Sequence, residues 1–500
     1  MGIWCVILGR MERQTDSYRH ILKYTSLFGG VQGLNILVGM IRNKLVAVIL
    51  GPNGMGLISL FNSTIKLVSD STNMGVSVSG VKTLSEAYEE GDATALAEQV
   101  RLVRSWSMVV ALLGLVVCVL AAPLIDSCSF SWGSHTLHYL LLSPVVALMA
   151  LTGGEMAVLK AVRRLRALAK VSVYNVFAVL VVTIPLYYIY GEAAIVPSLV
   201  AAALIQAVLT MAYSFRLFPP RVSLSLSYLR RGDRMLRLGI SFVVVGMMGS
   251  GMEFAIRSYL NVAGSLVTVG LYNAGYMMTM TYGGMVFAAM ETDYFPRLSA
   301  VAAPGATMNR CVNRQIEVSV VLIAPLLVAF MFGLPVLLPL LFSGRFMPVI
   351  GMMQFTIVAL MVRAVKLPIA YIPLSRSDSR SYLLMESAYV VMILPLMYVC
   401  FGRWGITGTG VALLIGSLLD LALLLAYNRW RYGYRPSRST LLCVGLQLPL
   451  VVAAHLLAGV PSPWACWGGG AVLFVLSLAC SRWLFVRQRR HQITDGGPRV

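Results

Sequence analysis

Apolar side chains in this chain gather into long runs separated by short polar stretches. A helix needs about 20 mainly apolar residues to cross the hydrocarbon of a bilayer. Runs of that kind lie at 22–50, 54–79, 103–125, 138–160, 171–190, 193–215, 236–262, 266–290, 315–335, 349–374, 382–402, 405–428, 440–459 and 464–485. Fourteen spanning helices are therefore expected. The longest polar stretches, 80–102, 216–235 and 291–314, leave no room for a soluble domain. Ile3 to Leu8 is too short to span and has no small-residue cleavage site after it, so it does not read as a signal peptide. Met11, which opens a more polar stretch, is an alternative start.

Composition agrees with that pattern and excludes several classes. Apolar residues make up 58% of the 500 and charged residues only 12%, about half the charged share of a globular domain. Mean hydropathy is +0.79. A cytosolic enzyme, a disordered chain and a secreted disulfide scaffold are all ruled out. The eight cysteines sit mostly inside apolar runs without metal spacing, and read as small core residues.

Net charge is +20. With the N-terminus inside, 32 of the 40 Lys and Arg fall on inner segments and only Arg345 and Arg403 on outer ones. The excess is therefore topology under the positive-inside rule, not nucleic-acid binding. Both termini are expected in the cytoplasm, as an even number of spans requires.

A repeat is also legible. Ile41-Arg42 recurs as Ile256-Arg257 at an offset of 215, and Gly56-Leu57 as Gly270-Leu271 at 214. Arg166 and Ala212-Tyr213 match Arg380 and Ala426-Tyr427, again at 214. Six helices per repeat give a parallel duplication, expected to form two six-helix lobes about a central cavity. The expected layout is a cytoplasmic extension 1–20, an N-lobe 21–216 and a linker 217–235. A C-lobe 236–430, two further helices within 431–486 and a tail 487–500 complete it.

Six cations remain inside spans: Arg42, Lys44, Lys66, Arg257, Arg363 and Lys366. Each costs about 2.5–3.5 kcal/mol at the bilayer centre, so they should meet water, partners or ligand. Phosphate suits such a set, because guanidinium presents forked donors to its oxygens. A plainer reading pairs Lys66 with Asp70 and Arg257 with Glu253, each four residues apart, and lets Lys44 snorkel outward. Arg42, Arg363 and Lys366 have no acid one turn away. Glu386 and Asp420 are expected either to pair with Arg363 or Lys366, or to carry a coupling ion, as are Asp70 and Glu253. Polar residues on spans, such as Gln32, Asn35 and Asn273, are candidates for sugar contacts or for gluing helices together. Pro368 and Pro373 are expected to break helix ten, and Pro325 to interrupt helix nine.

No Walker A or HExxH motif is present, and His135 with His138 reads as a solvated pair in a short outer loop. No catalytic residue, metal site or cofactor is expected; transport would be driven by membrane potential or by a proton or sodium gradient.

The segments Thr25-Ser26-Leu27, Arg42-Asn43-Lys44-Leu45-Val46-Ala47 and Gly51-Pro52-Asn53-Gly54-Met55-Gly56-Leu57 resemble bacterial Wzx-type O-antigen translocases. These form part of the polysaccharide transport branch of the multidrug/oligosaccharidyl-lipid/polysaccharide (MOP) exporter superfamily. Gly402-Arg403-Trp404-Gly405-Ile406-Thr407-Gly408 resembles that family's eleven–twelve hairpin. The resemblance implies an inner-membrane flippase, not an enzyme. Its cargo would be an undecaprenyl-diphosphate-linked oligosaccharide, a repeat unit of O-antigen, capsule or exopolysaccharide. Polysaccharide polymerase and chain-length regulator are implied partners, with the lipid bilayer itself. Fourteen spans are closer to the related lipid II flippases, whose extra helices help form a groove for the lipid tail. The alternatives are a cation-coupled multidrug antiporter of the same superfamily, or a membrane glycosyltransferase or polymerase.

Overall fold

The computed structural model describes residues 30–130, 133–301, 305–460 and 462–494. The expected extension at 1–20, the alternative start at Met11 and the Thr25-Ser26-Leu27 motif lie outside them. The described residues are mostly helical, with no strand among them. They form α1 (30–49), α2 (Gly51–Thr72), α3 (Val76–Glu90), α4 (Ala93–Ser129), α5 (Thr136–Ala161), α6 (Leu165–Tyr190), α7 (Ile195–Phe215) and the single turn α8 (Leu226–Leu229). Then follow α9 (Asp233–Ala263), α10 (Leu266–Tyr276), α11 (Met285–Ser299), α12 (Ala306–Leu341), α13 (Ile350–Ser375), α14 (Ser379–Tyr432), α15 (Arg438–Ala458) and α16 (Pro463–Thr494).

Where the residues are described, each of the fourteen apolar runs falls mainly on helix, and the fold is an all-α membrane protein. Eight continuous helical stretches among the described residues are long and apolar enough to span. Two of these, Leu165–Phe215 and Ser379–Tyr432, hold two runs each. The four remaining runs, on α1, α2, α9 and α10–α11, are the more polar ones. They are also repeat-equivalent pairs, the first with the seventh and the second with the eighth.

Two of the polar stretches are not loops. α3 occupies 76–90, and α4 and α12 begin at Ala93 and Ala306, so those spans run 37 and 36 residues. At 1.5 Å per residue each is about 55 Å long, well beyond the hydrocarbon. The protruding end of α4 is packed, not solvated: Leu84, Leu96, Val100, Val103, Val158 and Met235 share one buried cluster. Nor do the prolines end their helices. α13 continues through Pro368 and Pro373 to Ser375, and α12 through Pro325 to Leu341. The seven described cysteines are all free.

The backbone repeats with the same offset as the sequence. α6 ends at Gly191 (φ 57°, ψ −134°), and α14 breaks at Gly405 (φ 55°, ψ −140°), 214 residues later. Those angles are open to glycine and strained for any side chain. The left-handed residues Arg163 (φ 54°) and Ser377 (φ 55°) are separated by the same interval.

The chain divides into two compact units, up to Ser258 and from Tyr259, so the division falls inside α9. In the first unit, α5 packs on α3, α4 and α7. Gly75 (φ 68°) meets Gly239 of α9 backbone to backbone, where a Cβ on Gly75 would lie 2.4 Å from the Gly239 Cα. In the second unit, α13 packs on α14, and α12 carries α13, α15 and α16. Buried Gln447 of α15 joins both last helices to α12: it bonds Ser477 and Ser481 of α16, and Ser481 donates to the Val321 carbonyl.

Candidate functional site

In the first unit α2 and α9 bring charges together in a way local spacing does not show. The Lys66 ammonium lies 3.1 Å from Glu253, not on Asp70. Arg257 donates Nε to Ser59 Oγ at 2.8 Å and lies 3.4 Å from the other oxygen of Glu253. One carboxylate thus serves two cations. Arg257 is buried, whereas half of the Lys66 side chain is exposed. Asp70 turns to α9, where Gly246 leaves room for it and Ser250 faces it. The interhelical pair wins because a surface i,i+4 pair contributes only about 0.2–0.5 kcal/mol, which packing against a neighbouring helix easily outweighs.

Arg42 is exposed on α1, within the field of the Tyr187 hydroxyl, and makes no ion pair with a described residue. Lys44 is half-buried on the same helix and has an interaction partner. Asn35 donates to Ser172 of α6 at 2.6 Å, which is helix glue.

In the second unit Lys366 of α13 is 2.6 Å from Asp420 of α14, with both side chains largely buried. Its ammonium lies 4.7 Å from the centre of the Tyr389 ring. Glu386 shares this neighbourhood and is bonded to Tyr382. Two acids and one lysine leave the group with one carboxyl beyond charge balance. Arg363, one turn before Lys366, also reaches the field of Tyr389, with its guanidinium 5.8 Å from the Phe287 ring and beside Gly284. It makes no ion pair with a described residue. Gly284 follows a π-helical turn over Met277–Gly283, a distortion often found at functional positions.

Sequence reasoning missed the best-made ion pair. Arg104 was counted among the inner-segment charges, yet it is buried on α4 and bonds Glu155 of α5 through Nε at 2.8 Å and NH2 at 3.1 Å. Its other donors go to Ser214 and to the carbonyls of Phe218 and Pro219. All five N–H groups are occupied, which marks a structural staple. The signal was Glu155 itself, an acid alone in the apolar run 138–160.

The histidine pair is not solvated. His135 stacks on Phe130 with ring centres 3.9 Å apart and donates its backbone N–H to Asp126. Burial, and then His138, hold the His135 imidazole below its usual pKa, against the pull of Asp126.

Residues 45–351 match the model of a family described as polysaccharide biosynthesis protein. A comparison with curated proteins found no match. Among solved structures the chain resembles the lipid II flippase MurJ in an inward closed conformation, with a TM-score of 0.71 at 12% identity, covering 92% of this chain and 99% of that one. It also resembles a multidrug resistance MATE family transporter of the MOP superfamily. The inward-facing form gives a TM-score of 0.62 at 15% identity, covering 80% of this chain and 94% of that one. The outward-facing form gives 0.54 at 16%, covering 82% and 96%. At these identities the likeness establishes the fold.

Proposed function

The chain belongs to the polysaccharide biosynthesis protein family, and on that premise we propose that it is a flippase for an undecaprenyl-diphosphate-linked oligosaccharide. The cargo would pass from the inner to the outer leaflet of a bacterial inner membrane by alternating access, with both chain termini in the cytoplasm. One observation supports this above others: span cations exceed the carboxylates that meet them. Arg42 and Arg363 have no ion pair among the described residues, and Lys66 and Arg257 share Glu253. Such donors suit diphosphate oxygens, which take forked, charge-assisted bonds from guanidinium. The prenyl tail would stay in lipid.

In this reading Arg42, Arg257, Arg363 and Lys66 bind the headgroup, with Lys44 at their margin. Lys366 is committed to Asp420, so it belongs with Glu386 as a place for a coupling ion; Asp70 and Glu253 are the corresponding acids of the first unit. An inside-negative potential favours outward movement of an anion by about 2.3 kcal/mol per charge per 100 mV. A polymerase and a chain-length regulator would act on the delivered unit.

The test is rescue of surface glycan in a translocase-null strain. Loss of rescue by Arg42→Ala or Arg363→Ala at normal protein level supports the reading; full rescue by both removes the headgroup assignment. A second reading, a cation-coupled multidrug antiporter, draws on the Glu386 and Asp420 cluster. It requires drug resistance on expression, lost in Asp420→Asn, with no glycan rescue. A glycosyltransferase would instead transfer sugar in detergent.

A further inference from the structure

At the arginine-rich end of its spans the second unit has an open cavity of about 770 Å³, between the start of α12 and the end of α14. Its size is within the range of small-molecule sites, about 300–1,000 Å³. Arg429, Trp430 and Arg435 line one side, and Gly305 and Asn309 the other, with Gly433 between. Neither arginine makes an ion pair with a described carboxylate, and both are exposed. Trp430 is 78% exposed, the posture of an interfacial aromatic whose ring lies at headgroup level.

Two further observations sharpen the chemistry. Asn309 donates its amide to the Gly433 carbonyl at 3.2 Å, while its Oδ1 is buried without a donor. The site therefore offers positive charge and also lacks a hydrogen-bond donor for one acceptor. The equivalent junction of the first repeat, 214 residues earlier, is self-sufficient: Asp92 accepts from the N–H groups of Thr94 and Ala95 at the start of α4. α12 begins after Gly305 with no side-chain cap, so its first N–H groups add to the positive field there.

We propose that this cavity holds the headgroup of a resident anionic glycerophospholipid. The phosphodiester lies between Arg429 and Arg435, a hydroxyl of the head donates to Asn309 Oδ1, and the acyl chains run along the apolar flank of α14. The cargo flippase reading is not needed for this: the bound lipid belongs to the bilayer and is not carried. It would fix the end of the second unit at headgroup depth, on the side that positive-inside topology assigns to the cytoplasm.

The experiment uses the full chain, purified in mild detergent and supplied with phosphatidylglycerol, phosphatidylcholine or inorganic diphosphate. Native mass spectrometry reads bound lipid, and thermal unfolding reads stabilisation. The wild type is expected to retain one phosphatidylglycerol and little phosphatidylcholine. Arg429→Gln with Arg435→Gln should lower that retention by about tenfold or more, since charge-assisted bonds to phosphate are lost. Arg230→Gln with Arg231→Gln, in the basic segment before α9, should leave it unchanged. Asn309→Ala should weaken phosphatidylglycerol and spare a lipid without head hydroxyls. Equal losses in both arginine pairs, or unchanged retention in the first, would overturn the site, as would displacement of the lipid by free diphosphate. Arg429→Gln alone keeps the question decidable should the double variant fail to fold. Glycan rescue serves as the separate readout: loss of lipid with rescue intact leaves the transport reading standing, and the reverse leaves the lipid site standing.

Discussion

Two ion clusters of the first unit, each joining two helices through a glutamate and an arginine or lysine, have opposite characters. Around Arg104 every donor has an acceptor, and both side chains are about one-twentieth exposed. Around Glu253, one carboxylate divides between a buried arginine and a lysine whose side chain is half exposed. The first arrangement can accept nothing more. In the function proposed above, the second would exchange an internal partner for an incoming anion. Burial alone does not separate them, because Arg257 is nearly as buried as Arg104. Saturation of the donors does.

The largest test of that contrast is Glu155→Ala. Removing one partner of a buried pair leaves an unpaired charge and should cost about 3–5 kcal/mol, read as early loss of monodispersity on heating. Arg104→Met with Glu155→Leu should recover most of the loss, since apolar replacement of both partners is often neutral. A next step is Asp378, another saturated carboxylate. It accepts from the Ser381 N–H and hydroxyl and from the Tyr432 hydroxyl, which hold its pKa below the usual value. Asp378→Ala removes the cap of α14 and should cost about 1 kcal/mol. That contribution is present at neutral pH and fades as pH falls through the lowered pKa.

Glu253→Gln should cost less in stability, about 0–1 kcal/mol as for partly exposed pairs, while changing glycan rescue at constant protein level. A stability loss as large as that of Glu155→Ala would erase the distinction between the two clusters. The smallest effect concerns His135. Its lowered pKa means the unfolded chain takes up a proton before the folded one does. Stability should therefore decline as pH drops from 7 through the ordinary histidine range. His135→Phe should flatten that slope in thermal unfolding at pH 7 and pH 5.

The spans and the duplication were legible because both are carried by the order of apolar residues along the chain. The matching corners at Gly191 and Gly405 come from the structure, and their shared interval shows that the repeat reaches the backbone angles. Charge partners were legible only in part, because an i,i+4 spacing describes one helix and pairing in a bundle is also decided between helices. Lys66 therefore meets Glu253 of another helix and not Asp70, whereas the Arg257–Glu253 and Lys366–Asp420 pairs are among those the sequence offers. The partner of Arg104 was hidden for a related reason: Glu155 lies on another helix, and α4 starts at Ala93, inside a stretch whose polarity looks like a loop. The basic cavity by Trp430 had no linear signature, since α12 and the end of α14 are more than 100 residues apart in sequence.

The matched corners at Gly191 and Gly405 bear on how such a chain can change. Both halves kept the same turn, while the ionisable groups around their helices diverged: Glu386 stands where the first half has Ser172, and Asp420 where it has Gln206. The corner geometry is thus common to both halves, whereas the ionisable groups on their helices are not. Exchanging single polar side chains between corresponding helices should consequently leave the helix path intact, provided the two glycine corners are left untouched.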